Sequence, residues 1–286
     1  MNILVTGSNG QLGNEIRVAS KLFPVFNYFF TDVAELDICN KLALEVFVKQ
    51  NGIHAIVNCA AYTAVDKAED DIELCYRINR DAVRNIAEVA ALGNLKVIHV
   101  STDYVFDGTS HVPLTEEMST AALGIYGKSK LEGENELLST CSSAVVVRTS
   151  WLYSSFGANF VKTMIKLGAE RDTLNVIFDQ VGTPTYAADL AQAILQILQS
   201  EQFVSGIYHY SNEGVCSWYD FTKKIHKLAG VSCQVKPIET KDYPTRTPRP
   251  HYSVLNKSKI KAVYGIEIPY WEDSLEKCIV LLNASK

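Results

Sequence analysis

The segment NILVTGSNGQLG, residues 2–13, decides the fold that the sequence predicts. Its first part, 2–6, is a mostly apolar run typical of a buried strand, and Gln11 opens a helical pattern directly after the turn. Gly7, Gly10 and Gly13 form a Gly-x-x-Gly-x-x-Gly arrangement around this junction. Glycine allows the backbone angles of the turn, and its missing Cβ lets a phosphate approach the N–H groups at the helix N-terminus. The segment therefore predicts a strand–turn–helix unit that binds the pyrophosphate of a dinucleotide.

An acidic residue follows the second predicted strand. Asp32 lies 19 residues after Gly13, where a carboxylate can hydrogen-bond the ribose hydroxyls of the adenosine half of the cofactor. A carboxylate repels a 2′-phosphate, so Asp32 favours NADH. NADPH stays open because nearby side chains could offset one charge. The alternative interpretation of Asp32 is a solvated turn residue.

Strand and helix patterns alternate through the first half of the chain, with strands predicted at 2–6, 25–31, 55–59, 96–101 and 144–148. This alternation predicts an α/β fold, a Rossmann-type doubly wound parallel sheet with its ligand at the C-terminal edge of the strands. A single helix is expected over about 70–91, with Leu74, Ile78, Ala82 and Ile86 on one buried face.

The pattern is less regular after Ser150 and predicts a smaller, partly interleaved α/β substrate-binding domain. A helix is expected after Ser217, a good N-cap, and the proline-rich stretch 243–250 is expected to be a loop. The predicted division assigns 1–150 and about 183–205 to the dinucleotide-binding domain, and about 151–182 and 206–286 to the smaller one.

Tyr126 and Lys130 form a Tyr-x-x-x-Lys pair, which a helix places on one face. The pair alone does not indicate a catalytic site, because Tyr219 and Lys223 have the same spacing. Position favours the first pair, which follows the fourth strand with Thr102 at its end. That strand end is expected to meet the nicotinamide half of the cofactor.

These residue types suit the reduction of a ketone, which needs hydride on carbon and a proton on the developing alkoxide. Tyr126 is expected to supply the proton, and the Lys130 ammonium lowers the pKa of that phenol. Lys130 is also expected to hold the nicotinamide ribose hydroxyls. Thr102 is expected to donate a hydrogen bond to the carbonyl oxygen, with Ser101 as the neighbouring candidate.

Composition excludes several other classes. The net charge of −5 argues against nucleic acid or an anionic membrane as partner, and no apolar run has the length of a membrane span. The start lacks a basic leader, and the seven cysteines form no Cys-x-x-Cys pair. A cytoplasmic location and a small-molecule substrate are therefore expected, without a zinc site.

The glycine loop and the Thr102, Tyr126 and Lys130 set resemble the extended short-chain dehydrogenase/reductase family. Within it, segments 58–69 (NCAAYTAVDKAE) and 101–108 (STDYVFDG) resemble the dTDP-4-dehydrorhamnose reductases, as do 148–151 (RTSW) and Arg249-Pro250. The resemblance covers nearly the whole chain. It implies NADPH- or NADH-dependent reduction of the 4-keto group of dTDP-4-dehydro-β-L-rhamnose.

The resemblance also implies site residues. Those implied to contact the cofactor are Gly10, Gln11, Leu12, Asp32, Asp37, Ile38, Ala61, Tyr62 and Thr63. Those implied to contact the sugar nucleotide are Thr102, Asp103, Tyr104 and Trp151. Arg249 is a candidate for the diphosphate, but 245–248 (TRTP) departs from the family's pattern, so the choice of arginine stays open.

Some relatives form a Mg²⁺-linked dimer, so the resemblance makes Mg²⁺ and a homodimer possible. Glu15 is the candidate ligand, and its alternative interpretation is a solvated helix acid.

Two rival functions remain at this point. Dehydratases and epimerases of nucleotide sugars resemble this chain, but the dehydratases carry an Asp-Glu pair after the threonine, whereas Asp103 is followed here by Tyr104. The second rival is a non-catalytic NADP-binding regulatory subunit that resembles the beta subunit of methionine adenosyltransferase.

Overall fold

The computed structural model describes residues 1–284 and has the predicted alternation of strands and helices. The strands are β1 (Asn2–Thr6), β2 (Asn27–Phe30), β3 (Ala55–Asn58), β4 (Lys96–Thr102), β5 (Ala144–Thr149), β6 (Leu152–Tyr153), β7 (Thr173–Ile177), β8 (Val181–Gly182), β9 (Thr185–Tyr186), β10 (Gly206–His209), β11 (Cys216–Ser217) and β12 (Gln234–Ile238). The helices are α1 (Gln11–Ala19), α2 (Lys41–Gln50), α3 (Ile72–Tyr76), α4 (Ala82–Gly93), α5 (Ile125–Thr140), α6 (Phe160–Glu170), α7 (Ala187–Gln199), α8 (Trp218–Ala229), α9 (Ser258–Tyr264) and α10 (Trp271–Ala284).

In the described part of the chain, six parallel strands form the central sheet in the order β10–β5–β4–β3–β1–β2. From β1 the chain first adds β2 on one side and then returns to add β3 on the other. This reversal opens a crevice at the carboxyl ends of β1 and β3, where doubly wound folds bind ligands. The predicted fold class is confirmed.

The sheet is covered on both faces, which explains why its strands are apolar at nearly every position. On one face, Ile3 and Val5 belong to a cluster that includes α1 and α7. On the other face, Leu4 belongs to a cluster that includes α2 and α4. Side chains of a strand alternate between faces, so both clusters draw on the same strands.

Strand β10 lies in the central sheet, where it pairs with β5. The predicted division placed this strand in the smaller domain and is wrong there. The sequence shows a strand pattern but not the partner, and Tyr208 joins the same apolar cluster as α7. Ile260 of α9 belongs to that cluster too, so part of the C-terminal region packs on the dinucleotide-binding half.

The smaller body has its own apolar cluster, built from α6, α8, α10 and the β7–β12 pair. Ser217 caps α8 as predicted, with Asp220 completing a capping box. Within residues 1–284, no helix is long and apolar enough to cross a membrane.

The helix expected over 70–91 is interrupted, because residues Arg77–Asp81 form a π-helical segment between α3 and α4. Leu74 is 40% exposed, whereas Cys75 and Asn79 are buried before Ala82. A π-turn inserts one residue into the helical repeat, so the buried face shifts by one position. The predicted face is therefore wrong at its first two positions, and this shift turns Asn79 inward.

Candidate active site

The glycine loop has the geometry of a phosphate cradle. Gly7 has a φ of +62°, and a Cβ there would lie 2.6 Å from the backbone N of Ala60. A Cβ on Gly13 would lie 2.4 Å from Cα of Ser8. Gly10 is the N-cap of α1 and, as a glycine, has no side chain that could cap the first turn. The N–H groups of that turn can therefore bind an anion, which fits the pyrophosphate of a dinucleotide.

Asp32 lies beside this loop at the end of β2. Its carboxylate accepts hydrogen bonds from the backbone N of Asn9 at 3.0 Å and of Val33 at 2.8 Å. Arg17 of α1 lies over the ring of Phe30, with 4.1 Å from its guanidinium carbon to the ring centroid. Arg17 is thus a cation close to the end of β2, and no sequence motif indicated it.

The other residues implied for the cofactor lie in the loops after β2 and β3. Asp37 accepts a hydrogen bond from the backbone N of Cys39, and Ile38 is buried at 6% exposure. Ala61, Tyr62 and Thr63 follow β3 next to Ala60, which contacts the glycine loop.

The loop after β3 is fixed by Asn79, the residue that the π-segment turns inward. Its side chain accepts a hydrogen bond from the N–H of Tyr62 and donates one to the Tyr62 carbonyl. It also donates to Oγ of Ser129 on α5, at 3.1 Å. Asn79 therefore links the loop after β3 to α5, and sequence reasoning missed it because a helical repeat places it elsewhere.

Tyr126, Lys130 and Thr102 come together at the carboxyl end of β4. Tyr126 is half-buried, and burial raises the pKa of its phenol, an effect that the neighbouring Thr102 hydroxyl partly offsets. Lys130 is 1% exposed, and its Nζ donates to the carbonyl of Val100 at 2.7 Å. Burial lowers the pKa of Lys130 to about 8, against the opposing effect of Glu134. The structure thus brings together the three residues expected to be catalytic.

The hydroxyl proton of Thr102 is donated to Asp103, a hydrogen bond that the sequence did not indicate. Oγ1 of Thr102 donates to Oδ1 of Asp103 at 3.0 Å and accepts from the backbone N of Tyr104 at 3.2 Å. A hydroxyl has one proton, so Thr102 cannot also donate to a substrate carbonyl in this arrangement. Burial raises the pKa of Asp103 to about 6, and hydrogen bonds with Thr102 and Ser253 oppose that rise.

Tyr104 and Arg249 lie side by side. The Tyr104 ring lies 5.6 Å from that of Tyr126, and the guanidinium carbon of Arg249 lies 5.9 Å from the centroid of Tyr104. Nη2 of Arg249 donates to Asp66 at 2.6 Å. Its Nη1 is buried and has no hydrogen-bond partner among the described residues. Arg246 instead forms an exposed ion pair with Asp70.

A cleft of about 930 Å³ opens next to these residues, between the loop around Asp66 and the smaller body. Tyr104 and Arg249 line it on one side. Arg171, Lys236 and Trp218 line it too, and sequence reasoning missed them because single basic or aromatic residues in the irregular half carry no motif.

Trp151 contacts this cleft wall through Trp218, with ring centroids 3.5 Å apart. Its backbone has a φ of +48°, an uncommon angle for a bulky residue, and Gly182 leaves room for its ring. The structure therefore places Trp151 beside the site, packed on another aromatic residue.

Glu15 is not a solvated helix acid. It is 3% exposed and accepts a hydrogen bond from Oγ of Ser154 at 2.6 Å, and burial raises its pKa. Across residues 1–284, no group of three or more His, Cys, Asp or Glu side chains could hold a metal ion. The structure gives no support for Mg²⁺.

The competing Tyr219 and Lys223 lie on α8 of the smaller body, with Lys223 exposed.

Known proteins resemble this chain along its whole length. A family model described as RmlD substrate binding domain matches residues 1–283. The dTDP-4-dehydrorhamnose reductase of Aggregatibacter actinomycetemcomitans is 38% identical over 284 residues, covering 96% of this chain and 97% of that protein. That of Sinorhizobium fredii is 37% identical, covering 98% and 97%.

Solved structures also resemble this chain over nearly its whole length. A dTDP-4-dehydrorhamnose reductase from Clostridium acetobutylicum superposes with a TM-score of 0.95 at 42% identity, over 99% of this chain and 100% of that one. One from Bacillus anthracis, in complex with NADP, has a TM-score of 0.93 at 38% identity, over 98% and 99%. A UDP-glucose 4-epimerase from Thermus thermophilus, at 19% identity and a TM-score of 0.84 over 100% of both chains, shares the fold alone.

Proposed function

The chain belongs to the RmlD substrate binding domain family, and on that premise we propose that it reduces the 4-keto group of dTDP-4-dehydro-β-L-rhamnose, giving dTDP-β-L-rhamnose. The names of its relatives support this substrate. The observation that carries the chemistry is the placement of Tyr126, Thr102 and Lys130 at the carboxyl end of β4, in the sheet whose crevice holds the glycine loop.

In the proposed reaction the bound reduced nicotinamide supplies hydride to the carbonyl carbon, and the protein supplies the proton. Tyr126 donates its phenolic proton to the carbonyl oxygen, which becomes the hydroxyl of the product. The Lys130 ammonium stabilises the phenolate that is left and holds the nicotinamide ribose. The N–H groups of the first turn of α1 bind the pyrophosphate, and Asp32 binds the adenosine ribose.

Thr102 has a second role beside its expected one. Its hydroxyl lies beside the Tyr126 phenol and donates its proton to Asp103 at 3.0 Å. It can donate to the substrate only after its proton turns away from Asp103. Protonation of that carboxyl favours the turn, because a neutral carboxyl is the weaker acceptor.

For the cofactor we propose that both NADPH and NADH are accepted. Asp32 favours NADH because its carboxylate repels a 2′-phosphate. Arg17 supports NADPH, because its guanidinium lies over Phe30 at the end of the same strand and can offset that repulsion. The NADP complex of the relative from Bacillus anthracis agrees with this proposal.

For the substrate we propose that the cleft binds the nucleotide diphosphate. Arg171, Lys236 and Arg249 give it positive charge, and Trp218 offers an aromatic face. Arg249 is the favoured contact for the diphosphate, since Asp66 holds one side of its guanidinium while its buried Nη1 lacks a partner among the described residues.

We also propose a cytosolic location, because all seven cysteines, which lie within the described residues, are free thiols as in a reducing compartment. A homodimer stays a prediction from the resemblance, and light scattering of the purified chain tests it.

The test of function is oxidation of NADPH or NADH, followed by nicotinamide absorbance, with enzymatically generated dTDP-4-dehydro-β-L-rhamnose. Turnover is expected with both cofactors. Protein that binds the cofactor yet gives no turnover with either would favour the regulatory-subunit alternative. Conversion of a nucleotide sugar without net oxidation of the cofactor would favour an epimerase.

A further inference from the structure

A row of buried polar side chains crosses the central sheet and ends at the proposed catalytic lysine. Thr6 on β1 lies opposite Asn58 on β3, and Asn58 lies opposite His99 on β4. All three are at most 1% exposed. They share a sheet face with the apolar residues Leu4 and Ile56. Polar side chains on such a face need hydrogen-bond partners, because an unpaired polar group there is costly.

The row is continuous in close polar contacts. Oγ1 of Thr6 lies 2.6 Å from Oδ1 of Asn58, and Nδ2 of Asn58 lies 2.9 Å from Nδ1 of His99. Nε2 of His99 then lies 3.2 Å from Nζ of Lys130. The proposed catalytic lysine therefore has a histidine beside it that the mechanism above does not use.

The backbone N–H of Ala60 determines which atoms donate and which accept along this row. The N–H of Ala60 can only donate, and it donates to Oδ1 of Asn58 at 3.2 Å. The amide of Asn58 is therefore oriented with its NH₂ toward His99, so Nδ1 of His99 is an acceptor. Burial and the nearby Lys130 charge hold the pKa of His99 well below its ordinary value, so the ring is neutral. A neutral ring with an accepting Nδ1 carries its proton on Nε2, which faces Lys130.

We propose that His99 is a positioning residue for Lys130, locked by Asn58 in the tautomer that presents Nε2–H to the amine. An N–H group cannot accept from an ammonium, so the donors of Lys130 turn to the Val100 carbonyl and toward the cofactor side of the site. The inference rests on the proposed role of Lys130 in holding the nicotinamide ribose.

Other ionisable groups face Lys130 from the packed elements. Cys59 follows β3 and Cys75 lies on α3, and burial raises the pKa of both thiols, so they are neutral near pH 7. Glu134 lies one turn further along α5 and is bound by Arg148 in a buried ion pair at 2.6 Å. His99 is thus the neutral group in direct contact with Nζ, and its tautomer decides whether that contact opposes or supports the ammonium.

The test uses the full chain without cofactor, labelled with ¹⁵N-histidine, and long-range ¹H–¹⁵N NMR to locate the ring proton. We expect His99 to carry it on Nε2. His99→Gln assigns the signal, and His226→Gln is the matched control, because His226 is a buried histidine of the smaller body. A proton on Nδ1 of His99, or on both nitrogens, overturns the proposal. This outcome does not depend on the identity of the substrate.

Asn58→Leu removes the amide that holds the tautomer of His99 and adds no charge. Once Nδ1 is released, the ring is free to take its proton there and accept from Lys130 with Nε2. We expect the pKa of Lys130, followed by NMR of its ε-carbon, to rise by about one unit, and NADPH to bind about fivefold more weakly. An unchanged tautomer and an unchanged Lys130 titration in folded Asn58→Leu overturn the proposal. If this variant fails to fold, the spectrum of the native chain still decides.

Discussion

Replacement of Asp103 by asparagine should make the protein more stable at neutral pH. Asp103 is 2% exposed, and its Oδ2 has no hydrogen-bond partner among the described residues. Burial disfavours the ionised carboxyl, and the hydrogen bonds with Thr102 and Ser253 offset only part of that cost. Asparagine keeps an oxygen for the Thr102 hydroxyl and removes the charge.

The magnitude follows from the shift in pKa. Folding raises the pKa of Asp103 from 3.8 to about 6. At about 1.4 kcal/mol per unit, ionisation of the folded state then costs roughly 3 kcal/mol. Below the ordinary pKa the carboxyl is protonated in both states and the cost is absent. As the pH rises toward 6 the folded state binds more protons than the unfolded state, so stability is progressively lost, and above 6 the whole cost applies.

Urea unfolding of the native chain and of Asp103→Asn, at about pH 4 and about pH 7.5, measures this difference. The variant minus native free energy of unfolding should increase by roughly 2.4 kcal/mol between the two conditions, because about 0.5 kcal/mol of the cost is already present at about pH 4. Comparing the two proteins at each pH cancels the titration of all other groups. A difference that is flat with pH, or that falls as pH rises, would refute the assignment of Asp103 as a buried carboxyl whose ionisation opposes folding.

The remaining predictions concern the reaction and the cofactor. Tyr126→Phe should bind NADPH normally and lose at least about a hundredfold in kcat, whereas its matched control Tyr219→Phe should keep native turnover. Near-native turnover in Tyr126→Phe would make Tyr126 structural. Arg17→Ala should raise KM for NADPH by roughly tenfold and leave KM for NADH nearly unchanged, and equal effects on both would exclude a role at the 2′-phosphate. Gly13→Ala should abolish cofactor binding in calorimetry, because its Cβ would lie 2.4 Å from Cα of Ser8, and native affinity would contradict the cradle geometry.

Much of the fold follows from local pattern, since buried parallel strands and a glycine turn leave clear marks in a sequence. Strand β1 has its predicted bounds, 2–6. Prediction from local pattern fails at strand β10, because distant chain segments decide which strand it pairs with. The π-segment is a second case, since one inserted residue shifts a helical face and no residue type announces it.

The features of the site likewise divide into those that local sequence predicts and those that arise only on folding. The meeting of Tyr126, Lys130 and Thr102 at the end of β4 was predictable, because the proposed chemistry demands those residue types at that strand end. The partner of the Thr102 proton depends on side-chain orientation. The basic residues of the cleft, Arg171 and Lys236, come from separate elements of the smaller body and meet only after folding.

Hydride transfer to C4 of the keto sugar is the defining step of the proposed function. The most direct measurement uses NADPH with deuterium at both positions of nicotinamide C4, together with dTDP-4-dehydro-β-L-rhamnose, and mass and NMR spectra of the product. We expect dTDP-β-L-rhamnose with a single deuterium at C4 of the sugar. A product without deuterium, or with deuterium at another carbon, would contradict it.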